Sequence, residues 1–255
     1  MKKALEAIAA AAILASASQA LATPSTVFWT PATTYTQPFL VPHVTYDTYF
    51  AELGSYPIDT GLTMGVIPSD VVQGEVGFDL FYPGKGKSAL YLNGKLTLVE
   101  DKLFSGQPGL SVGMMLIGFE KDVTDYNMLH ATLGKGFSFG TLAVGGYYGL
   151  NDKLFVNAAG EKEQAGFLAS YITPDVPVGL KGLDHVNFFG DVQTGSNVFG
   201  AWGIGVGLYF TPAIDLLTGP IFFNEPSLQP GGVSWMWTVQ LDVDIDFGKP
   251  PPPPK

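Results

Sequence analysis

The 255-residue chain contains no Cys and no Arg. That excludes disulfides, thiolate metal sites and a Cys nucleophile, and it removes the guanidinium forks on which phosphate and nucleic-acid recognition lean. Charged residues make up only 14% and aromatics 13%, with 32 Gly and a formal net charge of −10. A soluble domain carries about a quarter charged residues, so this balance suits a surface that meets lipid, or a glycine-rich secreted β protein.

The chain opens with a positive Met1-Lys2-Lys3, an apolar stretch from Ala7 to Ala17 and a small-x-small Ala20-Leu21-Ala22. This pattern predicts a signal peptide over 1–22 that is removed on export. Its removal leaves 11 Lys and 22 acidic residues, a net charge of −11. Residues 23–42 are rich in Thr and Pro, with Phe28-Trp29 and Tyr35 among them. They read either as a periplasmic lead-in or as a plug folded into a lumen.

Beyond the signal no run of 18 apolar residues occurs, so no transmembrane helix is predicted. The pattern is instead period two, in segments longer than soluble strands usually are. Breaks such as Pro68-Ser69-Asp70, Pro83-Gly84-Lys85-Gly86 and Thr211-Pro212 divide it into about twelve strands. These are 43–51, 57–67, 71–82, 88–99, 109–120, 127–137, 140–150, 163–173, 183–193, 197–210, 213–223 and 233–247. The sequence thus predicts an all-β fold, a transmembrane antiparallel up-and-down β-barrel over 43–247. Ten or fourteen strands stay open because 151–163 and 173–183 are ambiguous. An even count returns both ends of the barrel to the periplasm, and 248–255 forms a proline-rich periplasmic tail.

The last strand is the clearest. Trp235, Trp237, Val239, Leu241, Val243, Ile245 and Phe247 alternate with Met236, Thr238, Gln240, Asp242, Asp244 and Asp246. One face is apolar for lipid and the other polar for the lumen, with Trp235, Trp237 and Phe247 as interface aromatics. The same parity points Gln73, Glu75, Asp79, Tyr91, Asn93, Lys95 and His130 inward, with Lys95 and Glu75 placed for a lumenal ion pair.

Asp at alternate positions in 242–246 invites a calcium loop, but the required Gly falls one place late at Gly248 and the bidentate Glu is missing. No metal or cofactor is therefore expected. Ser111 and His130 are the nearest approach to a hydrolytic pair. They have no acidic orienter and no G-x-S-x-G elbow, so no catalytic residue is assigned.

The assembled features resemble the outer-membrane β-barrel superfamily, down to a terminal strand that closes on an aromatic, Phe247. The chain runs eight residues past it, where that superfamily usually ends. Asp191-Val192-Gln193-Thr194-Gly195-Ser196-Asn197 with Tyr209-Phe210-Thr211-Pro212, and Phe28-Trp29-Thr30-Pro31 with His43-Val44-Thr45-Tyr46-Asp47, are similar to segments of uncharacterised proteobacterial barrels of similar size. The resemblance implies location and fold: an integral outer-membrane protein with lipid and the barrel-assembly machinery as partners, and no nucleic acid.

The acidic, Arg-free inward face makes a narrow passive pore for small hydrophilic solutes, with mild cation preference, the first expectation. A closed structural or adhesion barrel acting through its loops or proline tail is the second, and an outer-membrane hydrolase the third. A secreted β-sandwich would also alternate, with shorter strands and polar outward residues. The mature protein should partition into detergent and show heat-modifiable gel mobility; recovery from buffer as a soluble monomer would favour the sandwich.

Overall fold

The computed structural model describes residues 26–51, 57–245 and 247. The predicted signal peptide, the proline tail and Asp246 lie outside the described residues. Thirteen strands follow in chain order: β1 (Pro42–Phe50), β2 (Ile58–Gly65), β3 (Val72–Tyr82), β4 (Leu90–Leu98), β5 (Gly109–Ile117), β6 (Met128–Phe137), β7 (Gly140–Gly149), β8 (Ala165–Ile172), β9 (Val176–Leu180), β10 (Leu183–Gln193), β11 (Ala201–Thr211), β12 (Ile214–Phe223) and β13 (Trp235–Asp244).

Each strand pairs antiparallel with its sequence neighbour, except that β10 takes β8 on one edge and passes over β9. The ring closes where β1 meets β13, with His43 opposite Asp244 and Phe50 opposite Trp237. Twelve strands form the wall. The thirteenth, β9, lies outside it and pairs with the first residues of β10. This accounts for the long 174–182 connection. Thr173-Pro174-Asp175 interrupts β8, because proline offers no ladder N–H, and the chain then resumes pairing on β10 as a hairpin beyond the wall.

Strand parity sorts the side chains. Val76, Leu96, Val112, Val144, Phe188 and Ile204 point outward and are exposed, while Thr63, Glu75, Asn93, Lys95, Ser111 and Asp242 point inward and are buried. A soluble protein hides its aliphatic groups and shows its charges. Here the order is inverted, as a hydrocarbon surround demands. Ten residues tilted near 40° rise roughly 25 Å, enough for an outer membrane's apolar band.

Pro42 and Asp244 stand at one end of the barrel, the near rim, together with the 66–71, 99–108, 138–139 and 173–182 connections. At the far rim lie the connections 83–89, 118–127, 150–164, 194–200 and 224–234. The far-rim connections are tied to one another. Lys85 Nζ donates to Tyr126 Oη, Asn151 Nδ2 donates to Asp125, and Lys153 and Asn151 beside Asp122 hold its carboxyl below the ordinary range.

Residues 26–41 run inside the wall. Val27 and Phe28 join a far-rim apolar cluster with Phe189, Leu217, Ile221 and Met236, whereas Phe39 bridges Gly65 at the near rim. The described N-terminal end therefore lies at the rim opposite Asp244. Wall glycines give this segment room. A Cβ on Gly65 would fall on the Gln37 and Pro38 carbonyls, and one on Gly203 would sit 2.8 Å from the Phe28 ring. Gly65→Ala should therefore destabilise the folded barrel by about 1–3 kcal/mol. Gly94→Ala, whose Cβ would meet nothing nearer than 3.5 Å, should be tolerated. The temperature of heat-modified gel migration checks both.

Candidate functional site in the lumen

The lumen is the concave, polar part of the molecule, and its contents are set by what the inner segment needs. An extended chain that pairs with no strand leaves its N–H and C=O groups unmatched, and unmatched groups are costly away from water. Wall side chains supply the partners. One carboxylate oxygen, Asp191 Oδ2 on β10, accepts the N–H groups of Phe28, Trp29 and Thr30 at 3.2, 2.8 and 2.7 Å. Bonds to an ionised acceptor are about twice as strong as neutral ones, so Asp191 is the main clamp.

Carbonyls are met by hydroxyls and an amide. Thr132 Oγ1 donates to Pro31 O, Ser170 Oγ to Ala32 O, Ser111 Oγ to Thr33 O and Gln240 Nε2 to Phe28 O. Nearer the near rim, Thr36 bonds Thr97, and Gln37 donates its N–H to Glu75 and its amide to Asp244.

The inward residues expected from the sequence fall into three groups. Glu75 and Lys95 are both buried and lie 3.2 Å apart, with Gln37 as Glu75's second donor. Asp242 and Asp244 flank His43, whose ring nitrogens approach them at 3.2 and 2.8 Å, and Gln240 holds Phe28. Asn93 donates to Asp79 at 2.9 Å; with Asp47 and Asp59 on β1 and β2 these form an acidic wall toward the far rim. Tyr91 packs edge-on against Phe81 at 5.3 Å, and Gln73 lines a near-rim cavity. His130 is buried over Gly113, and its Nδ1 has no hydrogen-bond partner among the described residues. Ser111 spends its proton on Thr33 O. Trp235 and Trp237 are exposed on the outer face, and Phe247, past the end of β13, is exposed as well.

Sequence reading missed Asp191, Asp47, Asp59, Ser170 and Thr132. Their inward parity on β10, β1, β2, β8 and β6 was the available signal, but parity shows a direction and not a partner.

With a closed twelve-strand wall, an apolar outer belt and a polar interior in place, the architecture is decided. The chain folds as a closed antiparallel β-barrel whose outer face suits lipid. No protein-family model matches it, and no curated protein does. Among solved structures it is similar to the NanC porin, at 8% identity over 81% of this chain and 100% of that one, with a TM-score of 0.49. An outer-membrane channel of Pseudomonas putida F1 aligns at 8% identity over 80% of this chain and 94% of that one, TM-score 0.42. OmpF of Salmonella typhi, solved with daunomycin, aligns at 8% over 80% and 96%, TM-score 0.35. The assignment rests on the barrel's own geometry.

Of the contacts inside this β-barrel, the buried ion pair has the clearest energetic consequence. Removing one member of such a pair leaves a charge in a poor solvent and costs about 3–5 kcal/mol. Lys95→Met should lower the urea midpoint of the barrel accordingly. Lys95→Met with Glu75→Gln, which removes the charge yet keeps an acceptor for Gln37 N–H, should recover most of the loss.

Proposed function

We propose that the protein is a narrow passage for small hydrophilic solutes, with a preference for cations, shut in the described conformation by residues 26–41. The observation that carries the reading is the way the inner segment is held. Outside the single Phe39–Gly65 bridge it makes no strand pairing, and its fastenings are separate side-chain bonds spread over β3, β4, β5, β6, β8, β10 and β13. A segment fixed so can leave without unzipping the wall, whereas a paired strand cannot.

Selectivity follows from the inward charges. Asp47, Asp59, Asp79, Asp215 and Asp242 face the lumen and outnumber the inward bases Lys95 and His43 among the described residues. An acidic ring favours cations, while anion-selective pores need Arg or Lys rings.

A closed structural barrel is the second reading, and a specific feature favours it. Tyr126, Phe155 and Phe199, from three far-rim connections, pack into one cluster with Tyr147, Met128 and Leu168 of the wall. That cluster and the one around Phe28 put apolar groups into the far-rim half beside the acidic wall of Asp47, Asp59 and Asp79.

Planar-bilayer recording separates the two. The full chain should conduct rarely. Deletion of 26–38, or Asp191→Ala, which removes the acceptor of three N–H groups, should raise open probability by tenfold or more, with a reversal potential favouring K⁺ over Cl⁻. A folded deletion variant that never conducts would establish the closed barrel instead.

A further inference from the structure

The inner segment does not fill the whole lumen. Between it and the wall formed by β7, β8, β10 and β11 lies a cavity of about 570 Å³ toward the near rim. Its size falls within the range of small-molecule sites. Its lining is rich in acceptors: the carboxylates of Glu100 and Asp175, the amide of Asn187, and the hydroxyls of Tyr209, Ser170 and Thr34. No Lys, Arg or His lines it among the described residues.

We infer that this cavity is a binding site for a small aliphatic amine of the polyamine class. The inference deepens the proposed passage by naming a solute class for it, and rests on that reading only for the word solute. Three observations carry it. The carbonyl oxygen of Asn187 has no hydrogen-bond partner although the residue is only 3% exposed. A buried acceptor left in that state calls for a donor. The Asn187 amide donates to Tyr209 Oη at 3.2 Å and toward Asp175 at 3.4 Å, which groups the three side chains on one wall. Asp175 itself is partly exposed at the near rim and has His185 at 3.6 Å, so its carboxylate faces the cavity mouth.

Across the cavity Glu100 accepts the Gly136 N–H and pairs with Lys135 at 2.7 Å. It gives the opposite wall a fixed acceptor. An ammonium group is a compact cation with three donors. A chain carrying two or more of them matches two separated carboxylates, and its methylenes match the buried Phe189 ring that also lines the cavity. A dicarboxylate meets carboxylates of like charge, and a neutral sugar gains no ion pair from them.

Because the inner segment lines one side of the cavity through Ala32 to Thr36, a bound amine touches the plug itself. Occupancy of the site is then linked to the position of the plug.

Isothermal titration of the folded full chain in detergent with spermidine, glucose and succinate tests the site. Saturable spermidine binding is expected, with none for succinate and none or far weaker for glucose. Asp175→Asn, at a partly exposed rim position, should weaken spermidine about tenfold. Thr141→Phe, which fills the cavity from β7, should abolish binding while heat-modifiable mobility persists. A folded wild-type chain that does not bind spermidine, binding unchanged in Asp175→Asn, or equal binding of succinate would overturn the inference. The titration needs no conduction. Binding without conductance in any variant would sink the passage alone, and conductance without binding would sink the amine site alone.

Discussion

Twelve strands enclose a lumen wider than the eight-strand case, in which wall side chains meet across the axis, and narrower than the sixteen of an open porin. The structure resolves this intermediate width by threading its own chain through it. Backbone in such a place must find hydrogen-bond partners without a neighbouring strand. The inward positions nearest the inner segment are accordingly residues with short, directed polar groups: Ser111, Thr132, Ser170, Thr97 and Asp191. Where the segment comes closest to the wall those positions become glycine, as at Gly65 and Gly203. The composition of the inner face is in this sense a mould of residues 26–41.

The lumen is also graded along its axis. Toward the far rim the inner segment presents Val27, Phe28 and Trp29 to Phe189, Leu217, Ile221 and Phe223, and the 150–164 connection contributes Phe155 to a second apolar cluster. Toward the near rim it presents Thr33, Thr34, Thr36 and Gln37 to hydroxyls and carboxylates. Apolar packing excludes water from the first half, while the second keeps a polar cavity. The polar cavity thus lies on the near-rim side of the apolar clusters, with Ala32 to Thr36 of the inner segment along one side.

Much of the wall was legible in the sequence, because a strand between lipid and lumen must alternate and alternation is a local property. The thirteen residues from Trp235 to Phe247 show it most fully, although pairing stops at Asp244. The 174–182 stretch gave no such signal. Its pairing with Leu183–Val186 continues an edge after a proline interruption, so its partner lies beyond the turn and not within the pattern. The inner segment was the least legible. Residues 26–41 carry no period because their partners come from seven strands in no regular order. Nothing local distinguishes a Thr whose hydroxyl meets Thr97 across the lumen, as that of Thr36 does, from one in solvent. Its trace in the sequence was indirect: inward positions on β5, β6 and β11 that are glycine, at Gly109, Gly134 and Gly203, where an unoccupied lumen would have had no need of the space.

Charge gives the closed arrangement its balance. Residues 26–41 contain no ionisable group except Tyr35, whereas the wall around them buries Asp47, Asp59 and Asp215 to 8% exposure or less. Seating the neutral segment displaces water from carboxylates that lack matching cations, a cost that grows as the local dielectric falls. The three N–H bonds on Asp191 and the apolar contacts of Phe28 offset that cost in the closed state. Release returns water to the same carboxylates, so the opposing terms are of the same kind and partly cancel. On the proposed reading, a neutral segment seated in an acidic wall sets a small free-energy difference between shut and open, and entering cations add to the open side.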